Sequence, residues 1–198
     1  TALGDDPYSD AIAALAEAEG ISIDLIRRVP GRMPGLYMIE TTTAGERSFY
    51  YWRDRSPARE LFDIPSAALD AALVDATLIY LSGITLSLYG APALDRLAAG
   101  IDVARKNGVR VVMDGNYRPR GWSGDRTRAR AVMQRFWQRS DIAMPTFDDE
   151  QALWDDTDPD VTTARLRSFG VGEIVIKQGA DGAIVATSTK AANVPCPA

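Results

Sequence analysis

The stretch Val109-Arg-Val-Val-Met-Asp-Gly-Asn-Tyr-Arg-Pro-Arg-Gly-Trp122 indicates the fold more clearly than any other part of the chain. Its apolar, β-branched start, residues 109–113, is typical of a buried strand. The strand runs into Asp114, Asn116 and Arg118, and ligands of open α/β sheets bind beyond the carboxyl ends of strands. An arginine there suits a carboxylate or phosphate, because its planar guanidinium donates two parallel hydrogen bonds. The alternative interpretation is an Asx-rich turn closed by proline and glycine.

The amino-acid composition limits the classes of protein to which this chain can belong. Of the 198 residues, 46% are hydrophobic and 25% charged, as in ordinary globular proteins. The formal net charge of −5 argues against a nucleic-acid partner, which would favour a basic surface. The absence of histidine excludes a Ser-His-Asp triad and a His-ligated zinc site. A single cysteine, Cys196, fits a reducing compartment, and no apolar run reaches membrane-spanning length, so we expect a cytoplasmic protein with no membrane partner.

The alternation of elements predicts the architecture. Two strands, 36–41 and 47–52, are predicted to form a hairpin through the loop 42–46. Predicted helices and strands then alternate, which favours an α/β fold, a doubly wound parallel sheet with helices on both faces. We therefore predict one domain over residues 1–198 with a small β-stranded flap, or lid, at about 35–53, and a solvated loop at the acidic run 155–160. The predicted helices are 6–19, 65–74, 93–106, 125–139, 148–154 and 162–169, and the predicted strands after the flap are 77–81, 110–113, 142–144, 173–177 and 183–186.

The flap carries side chains that a ligand could use. Tyr37, Tyr50 and Arg53 suit a hydroxyl-rich ligand with one charged end. Cross-strand aromatic packing is the alternative explanation for the tyrosines, whereas Arg53 is harder to explain by packing. Because a two-stranded ribbon is marginal by itself, we expect it to pair with other strands or with another subunit.

Two further strand ends carry candidate residues. Thr146 and Asp149 follow one strand, where a hydroxyl could meet a phosphate and an acid could organise a metal through water; the acids also suit a helix start. Lys177, Gly179 and Gly182 follow another strand, where glycines could let a nucleotide approach the backbone. The sequence Ala-Asp-Gly between two apolar strands equally predicts a hairpin.

In their order along the chain, these stretches resemble the ribokinase (phosphofructokinase B) family of sugar kinases. The flap sequence Tyr-Tyr-Trp-Arg and the turn Asn-Tyr-Arg-Pro are similar to the branch that acts on the sugar acid 2-keto-3-deoxygluconate. The resemblance covers essentially the whole chain. It rests on residues 2–8, 35–37, 49–53, 81–84, 113–119, 145–150 and 177–182.

The resemblance implies an ATP- and Mg²⁺-dependent carbohydrate kinase that phosphorylates the sugar acid to its 6-phosphate. Arg118 would hold the sugar-acid carboxylate or the transferring phosphoryl group, and Asp149 would tune magnesium through water, with Thr146 and Asp149 in place of the family's Asn and Glu. The implied substrate contacts are Tyr37, Tyr50, Arg53, Asp114, Asn116 and Arg118. The implied nucleotide contacts are Thr146, Lys177, Gly179 and Gly182.

Two motifs of that family are absent from the sequence: the early Gly-Gly of the substrate site, and Gly-Ala-Gly-Asp, which carries the anion hole and the general base. We therefore expect a kinase by family whose truncated form is inactive and holds no catalytic base. The alternatives are a fructose or nucleoside kinase of the same family, a non-catalytic sugar- or nucleotide-binding module, and a structural remnant. The aromatic flap strands predict a homo-oligomer formed through the lid.

Overall fold

The structure, a computed structural model, describes residues 1–43 and 45–196 as two compact units. The first unit spans Thr1–Leu69 and the second spans Asp70–Ala198. The single domain expected over residues 1–198 stays a prediction. None of the helices in the described part of the chain has the length and apolar character needed to cross a membrane.

The first unit combines one helix with two small sheets. Asp6 begins α1 by accepting hydrogen bonds from the backbone N–H groups of Tyr8 and Ser9. Strands β1 and β2 pair in parallel, and β3 and β4 pair antiparallel at the predicted positions. In the hairpin loop Thr42 N–H donates to the Glu46 carbonyl, while Ala44 lies outside the described residues. The elements are β1 (Ala2–Leu3), α1 (Pro7–Ala18), β2 (Arg27–Arg28), β3 (Leu36–Thr41), β4 (Arg47–Trp52) and a 3₁₀ helix at Pro57–Glu60.

The second unit is a helix-linked, six-stranded sheet, which confirms the α/β class. Its strand order is β10-β9-β8-β7-β6-β5. Strands β5 to β8 are parallel, whereas β9 and β10 are antiparallel, so the sheet is mixed and not wholly parallel as predicted. The reason is that short connections without an α-helix join the last three strands. The elements are α2 (Ala67–Asp75, which contains the unit boundary), β5 (Leu78–Ser82), α3 (Gly83–Leu86), α4 (Ala91–Lys106), β6 (Arg110–Asp114), a 3₁₀ helix (Pro119–Trp122), α5 (Arg126–Trp137), β7 (Ile142–Ala143), α6 (Phe147–Trp154), α7 (Pro159–Ser168), β8 (Glu173–Lys177), a 3₁₀ helix (Gly179–Asp181), β9 (Ala183–Ala186) and β10 (Ala191–Val194).

The core of the second unit lies around β6. Consecutive residues Val111, Val112 and Met113 are all buried, so both faces of this strand are covered. Strand β5 differs: Ile79 is buried while Tyr80 is exposed, the alternation of a strand with one covered face. Because β6 is held on both faces, the turn that follows it begins at a fixed position in the fold.

The acidic run after α6 is exposed as predicted at Asp155, Thr157, Asp158 and Asp160, but not at Asp156. Asp156 is buried and accepts hydrogen bonds from Thr162 (2.6 Å) and from the Arg165 guanidinium (2.6 and 3.2 Å). Asp158 caps α7 by accepting from the Val161 N–H at 2.9 Å. Asp156 is buried against α7 because that helix brings a hydroxyl and a guanidinium to its carboxylate.

Candidate functional site

The carboxyl ends of parallel strands bring most of the predicted residues of the second unit to one edge. Strands β5, β6 and β8 end at Ser82, Asp114 and Lys177, and Thr146, after β7, pairs with Lys177 in an isolated parallel bridge. We call this region the carboxyl edge. It corresponds to the place where open α/β sheets bind ligands.

An ion pair crosses the carboxyl edge from β8 to β6. The Lys177 ammonium lies 2.7 Å from Asp114 Oδ2, and the Tyr80 hydroxyl donates to the same oxygen at 3.2 Å. Burial, followed by the nearby Asp114 charge, raises the pKa of Tyr80, so the phenol keeps the proton that it donates. Asp114 was predicted to contact the sugar and Lys177 the nucleotide. In the structure the two side chains contact each other.

The turn after β6 is held by a side-chain bond and by a close backbone approach. Asn116 donates to Ser82 Oγ at 3.2 Å and adopts φ = 39°, a left-handed conformation that asparagine tolerates. A Cβ at Gly83 would lie 2.0 Å from the Gly115 carbonyl oxygen, so only glycine allows this contact between α3 and the turn. Ser82 and Gly83 thus form a tight turn from strand β5 into helix α3.

Arg118 is held by the start of α6. Its Nη1 lies 3.1 and 3.2 Å from the two carboxylate oxygens of Asp149 and donates to the Tyr117 carbonyl at 2.7 Å. Asp149 also accepts from the Tyr117 N–H at 3.1 Å. Burial raises the pKa of Asp149, and the Arg118 charge opposes that rise. Asp149 therefore forms a direct ion pair with Arg118.

A buried acid lies next to Asp149. Glu150 is fully buried, and its Oε2 accepts from Arg165 at 2.7 Å. Among the described residues, Oε1 has no hydrogen-bond partner, and it lies 2.9 Å from where a Gly115 Cβ would be. Burial raises the Glu150 pKa to about 7, against the lowering effect of Arg165.

The two predicted nucleotide glycines lie in the β8–β9 hairpin, whose prediction is confirmed. Gly179 has φ = 58° and Gly182 has φ = 88°. A Cβ at Gly182 would lie 2.1 Å from the Val194 carbonyl oxygen, so the backbone after β9 already fills that space. Backbone packing alone therefore explains why position 182 is a glycine, and no nucleotide contact is needed to explain it.

The residues present do not by themselves make a magnesium site. In the described part of the chain, no three His, Cys, Asp or Glu side chains form a group that could hold a metal ion. Asp149 is engaged by Arg118 and by a backbone N–H.

The hairpin of the first unit separates the three flap residues. Tyr37 is opposite Tyr51, and their ring centroids lie 6.2 Å apart. The Arg53 guanidinium lies 4.4 Å from the Tyr51 ring centroid, so these three side chains form one aromatic and cationic face. Tyr50 lies on the other face, where its hydroxyl donates to Glu40 at 2.9 Å. The structure brings Tyr37 and Arg53 together but not Tyr50.

A cavity of about 420 Å³ lies at the base of this hairpin. Arg53 and Tyr51 line it, together with Arg32 and Arg55. Arg32 is occupied, since it pairs with Glu60 and donates to the Arg55 carbonyl at 2.9 Å. The cavity therefore combines aromatic walls with guanidinium groups.

Sequence reasoning missed four residues that shape these sites. Tyr51 could have been found from the two-residue alternation of β4, which places it on the side of Arg53. Tyr80, Glu150 and Arg165 gave no local signal, because the partner of each lies in a different element.

Comparisons with known proteins agree with the fold. The 2-dehydro-3-deoxygluconokinase of Dickeya dadantii (strain 3937) is 40% identical over 192 residues, covering 96% of this chain and 62% of that protein. The PfkB protein from Polaromonas sp. JS666 has a TM-score of 0.87 at 24% identity, covering 98% of this chain and 65% of that one. The 2-dehydro-3-deoxygluconokinase of Thermotoga maritima has a TM-score of 0.79 at 24% identity, covering 96% and 62%.

The chain thus spans between 62% and 65% of the length of these three relatives. The family model described as pfkB family carbohydrate kinase matches residues 1–198. The resemblance to this family deduced from the motifs is confirmed, together with the ribokinase-like fold. The chain belongs to the pfkB family of carbohydrate kinases.

Proposed function

We propose that this chain is the part of a 2-keto-3-deoxygluconate kinase that holds the sugar acid and the phosphate side of ATP. The observation that carries the proposal is the carboxyl edge, where Arg118 and Lys177 stand beside polar side chains at the ends of parallel strands. The Dickeya relative is named 2-dehydro-3-deoxygluconokinase, and "2-dehydro" and "2-keto" denote the same sugar acid. That name supports the choice of substrate.

Arg118 is suited to an anionic ligand. Its side chain is 53% exposed, and among the described residues its hydrogen bonds all use Nη1. Nη2 and Nε are left to donate to a carboxylate or a phosphoryl group as a planar fork. We assign Tyr37 and Arg53 to the sugar acid as well, because the Arg53 guanidinium, which lies over the Tyr51 ring, suits a carboxylate and a tyrosine hydroxyl suits a polyol. The contact between Tyr50 and the sugar acid stays a prediction.

In the proposed reaction the sugar 6-hydroxyl oxygen forms a bond to the γ-phosphorus of ATP. The bond from that phosphorus to the bridging oxygen breaks, ADP leaves, and the hydroxyl proton passes to a base. Catalysis of this kind depends on positioning and on charge stabilisation, which Arg118 and Lys177 would supply. The family's Gly-Ala-Gly-Asp base is not among these 198 residues, so inactivity of the chain alone stays a prediction. Use of ATP fits a cytoplasmic location.

The test is ATP-dependent phosphorylation of 2-keto-3-deoxygluconate by the complete protein that carries this chain, with fructose and a nucleoside as competing substrates. Arg118→Gln should raise KM for the sugar acid by on the order of tenfold or more, since charged hydrogen bonds contribute about 1.5–3 kcal/mol. Arg120→Gln, which alters an exposed arginine of the same turn, is the control and should leave that KM unchanged.

Three results would count against the proposal. Preference for fructose or a nucleoside would assign the chain to another branch of the family. Binding of the sugar acid and ATP without turnover would favour a non-catalytic module. An equal effect of Arg118→Gln and Arg120→Gln would remove Arg118 from substrate recognition.

A further inference from the structure

The strongest unassigned feature is the contact that joins Tyr80, Asp114 and Lys177 across the carboxyl edge. These residues belong to β5, β6 and β8, and β7 lies between the last two strands. Asp114 Oδ2 accepts from both the Lys177 ammonium at 2.7 Å and the Tyr80 hydroxyl at 3.2 Å. One carboxylate oxygen thus fixes two side chains from opposite sides.

The remaining surface of Asp114 is closed to a sugar. Its side chain is only 15% exposed, and Oδ1 is buried without a partner among the described residues. A sugar hydroxyl could reach this carboxylate only by displacing Tyr80 or Lys177 from Oδ2. Asp114 is therefore poorly placed as a direct sugar ligand, although its position at a strand end suggests that role.

Lys177 has the opposite character. Its side chain is 35% exposed, and its ammonium carries three donors, of which Asp114 takes one. Binding a ligand normally costs a flexible lysine its rotamer freedom. Because Asp114 already holds the ammonium in place, a ligand binds it with a smaller loss of conformational entropy. The fixed ammonium is suited to a phosphate oxygen.

We propose that Asp114 and Tyr80 are positioning residues that hold the Lys177 ammonium at the carboxyl edge for a phosphate group of the nucleotide. The inference rests on the proposed function and moves Asp114 from the sugar contacts to the support of a nucleotide contact.

The test measures KM for ATP and for the sugar acid separately in the complete protein. Asp114→Asn removes the charge that holds Lys177, and should raise KM for ATP on the order of tenfold while KM for the sugar acid stays within about twofold. Lys177→Met should raise KM for ATP at least as much. Tyr80→Phe should give a smaller rise, and Asp114→Glu should recover part of the loss because the charge is restored.

A second ion pair supplies the matched control. Arg110 and Glu173 lie 2.7 Å apart and join the same two strands, β6 and β8, at their opposite ends. Arg110→Gln removes a cross-strand ion pair far from the carboxyl edge, so it should leave both KM values unchanged. Thermal unfolding of every variant shows whether a kinetic change merely follows a loss of folded protein.

Each alternative outcome has a definite meaning. If Asp114→Asn raises KM for the sugar acid and leaves that for ATP unchanged, Asp114 contacts the sugar and the inference is wrong. If it lowers thermal stability and changes neither KM, Asp114 is only a structural tie and the inference is also wrong. If the unaltered protein phosphorylates no sugar acid, the proposed function fails first, and calorimetric binding of ATP to the unaltered and Asp114→Asn proteins still tests the inference.

Discussion

The buried carboxyl of Glu150 predicts an unusual dependence of stability on pH. Burial raises its pKa from 4.5 to about 7, although Arg165 contacts one of its oxygens. The folded protein therefore binds this proton more tightly than the unfolded chain does. The stabilising contribution is fully present below pH 4.5 and is lost as the pH rises through 7. The shift corresponds to about 3 kcal/mol of unfolding free energy.

Glu150→Gln tests this reasoning, because glutamine keeps the volume and an acceptor for Arg165 but cannot ionise. Between pH 4.5 and 8, the free energy of unfolding of the unaltered protein should fall by about 3 kcal/mol more than that of Glu150→Gln. Urea unfolding followed by tryptophan fluorescence measures the free energy of unfolding of both proteins. Trp154 reports on this region because its ring lies 4.4 Å from the Arg165 guanidinium.

Asp160→Asn is the matched control, because it removes one exposed carboxylate from the neighbouring helix α7. It should keep the pH slope of the unaltered protein. Parallel pH profiles for the unaltered protein and Glu150→Gln would refute the reasoning, since they would mean that the contact with Arg165 fully compensates for the burial of Glu150.

Three further predictions concern packing and the hairpin. Gly83→Ala should lower stability by about 1–3 kcal/mol, because its Cβ would lie 2.0 Å from the Gly115 carbonyl oxygen; an unchanged Tm in thermal unfolding would contradict this. In calorimetry, Tyr51→Ala should weaken binding of the sugar acid more than Tyr50→Ala, since Tyr51 shares a face with Arg53, and equal effects would remove that face from recognition. The exposed apolar strands of the hairpin should make the protein an oligomer in analytical ultracentrifugation, and a monomer at high concentration would count against association through the lid.

Local patterns were sufficient to predict most of the elements. Strands β3, β4, β8 and β9 lie at the predicted residues, because β-branched and aromatic runs bounded by glycine have few alternatives. Strand β10 (Ala191–Val194) was missed, since its short, exposed sequence has neither alternation nor bulk. The candidate site on β6 could be predicted because the apolar run stops abruptly at polar side chains.

What the sequence did not indicate depends on contacts between different elements. Asp156 stands in an acidic run that suggests solvent, yet Arg165 from the next helix buries it. Asp114 was placed among the sugar contacts because of its strand end, whereas Lys177, 63 positions further along, occupies its carboxylate. Composition and periodicity describe a residue's own element, and neither reveals which charge a different strand brings beside it.

The charges at the carboxyl edge suggest how it would receive the proposed ligands. Arg118 is paired with Asp149, and Lys177 is paired with Asp114, so the four charges balance before any ligand arrives. Each cation also keeps donors that these acids do not use. An anion can therefore bind by adding hydrogen bonds to a cation that is already held, with no need to break the internal pair. Because the two acids also limit the net attraction, recognition at this edge should depend on geometry more than on charge, which favours ligands that place a carboxylate or phosphate at a defined position.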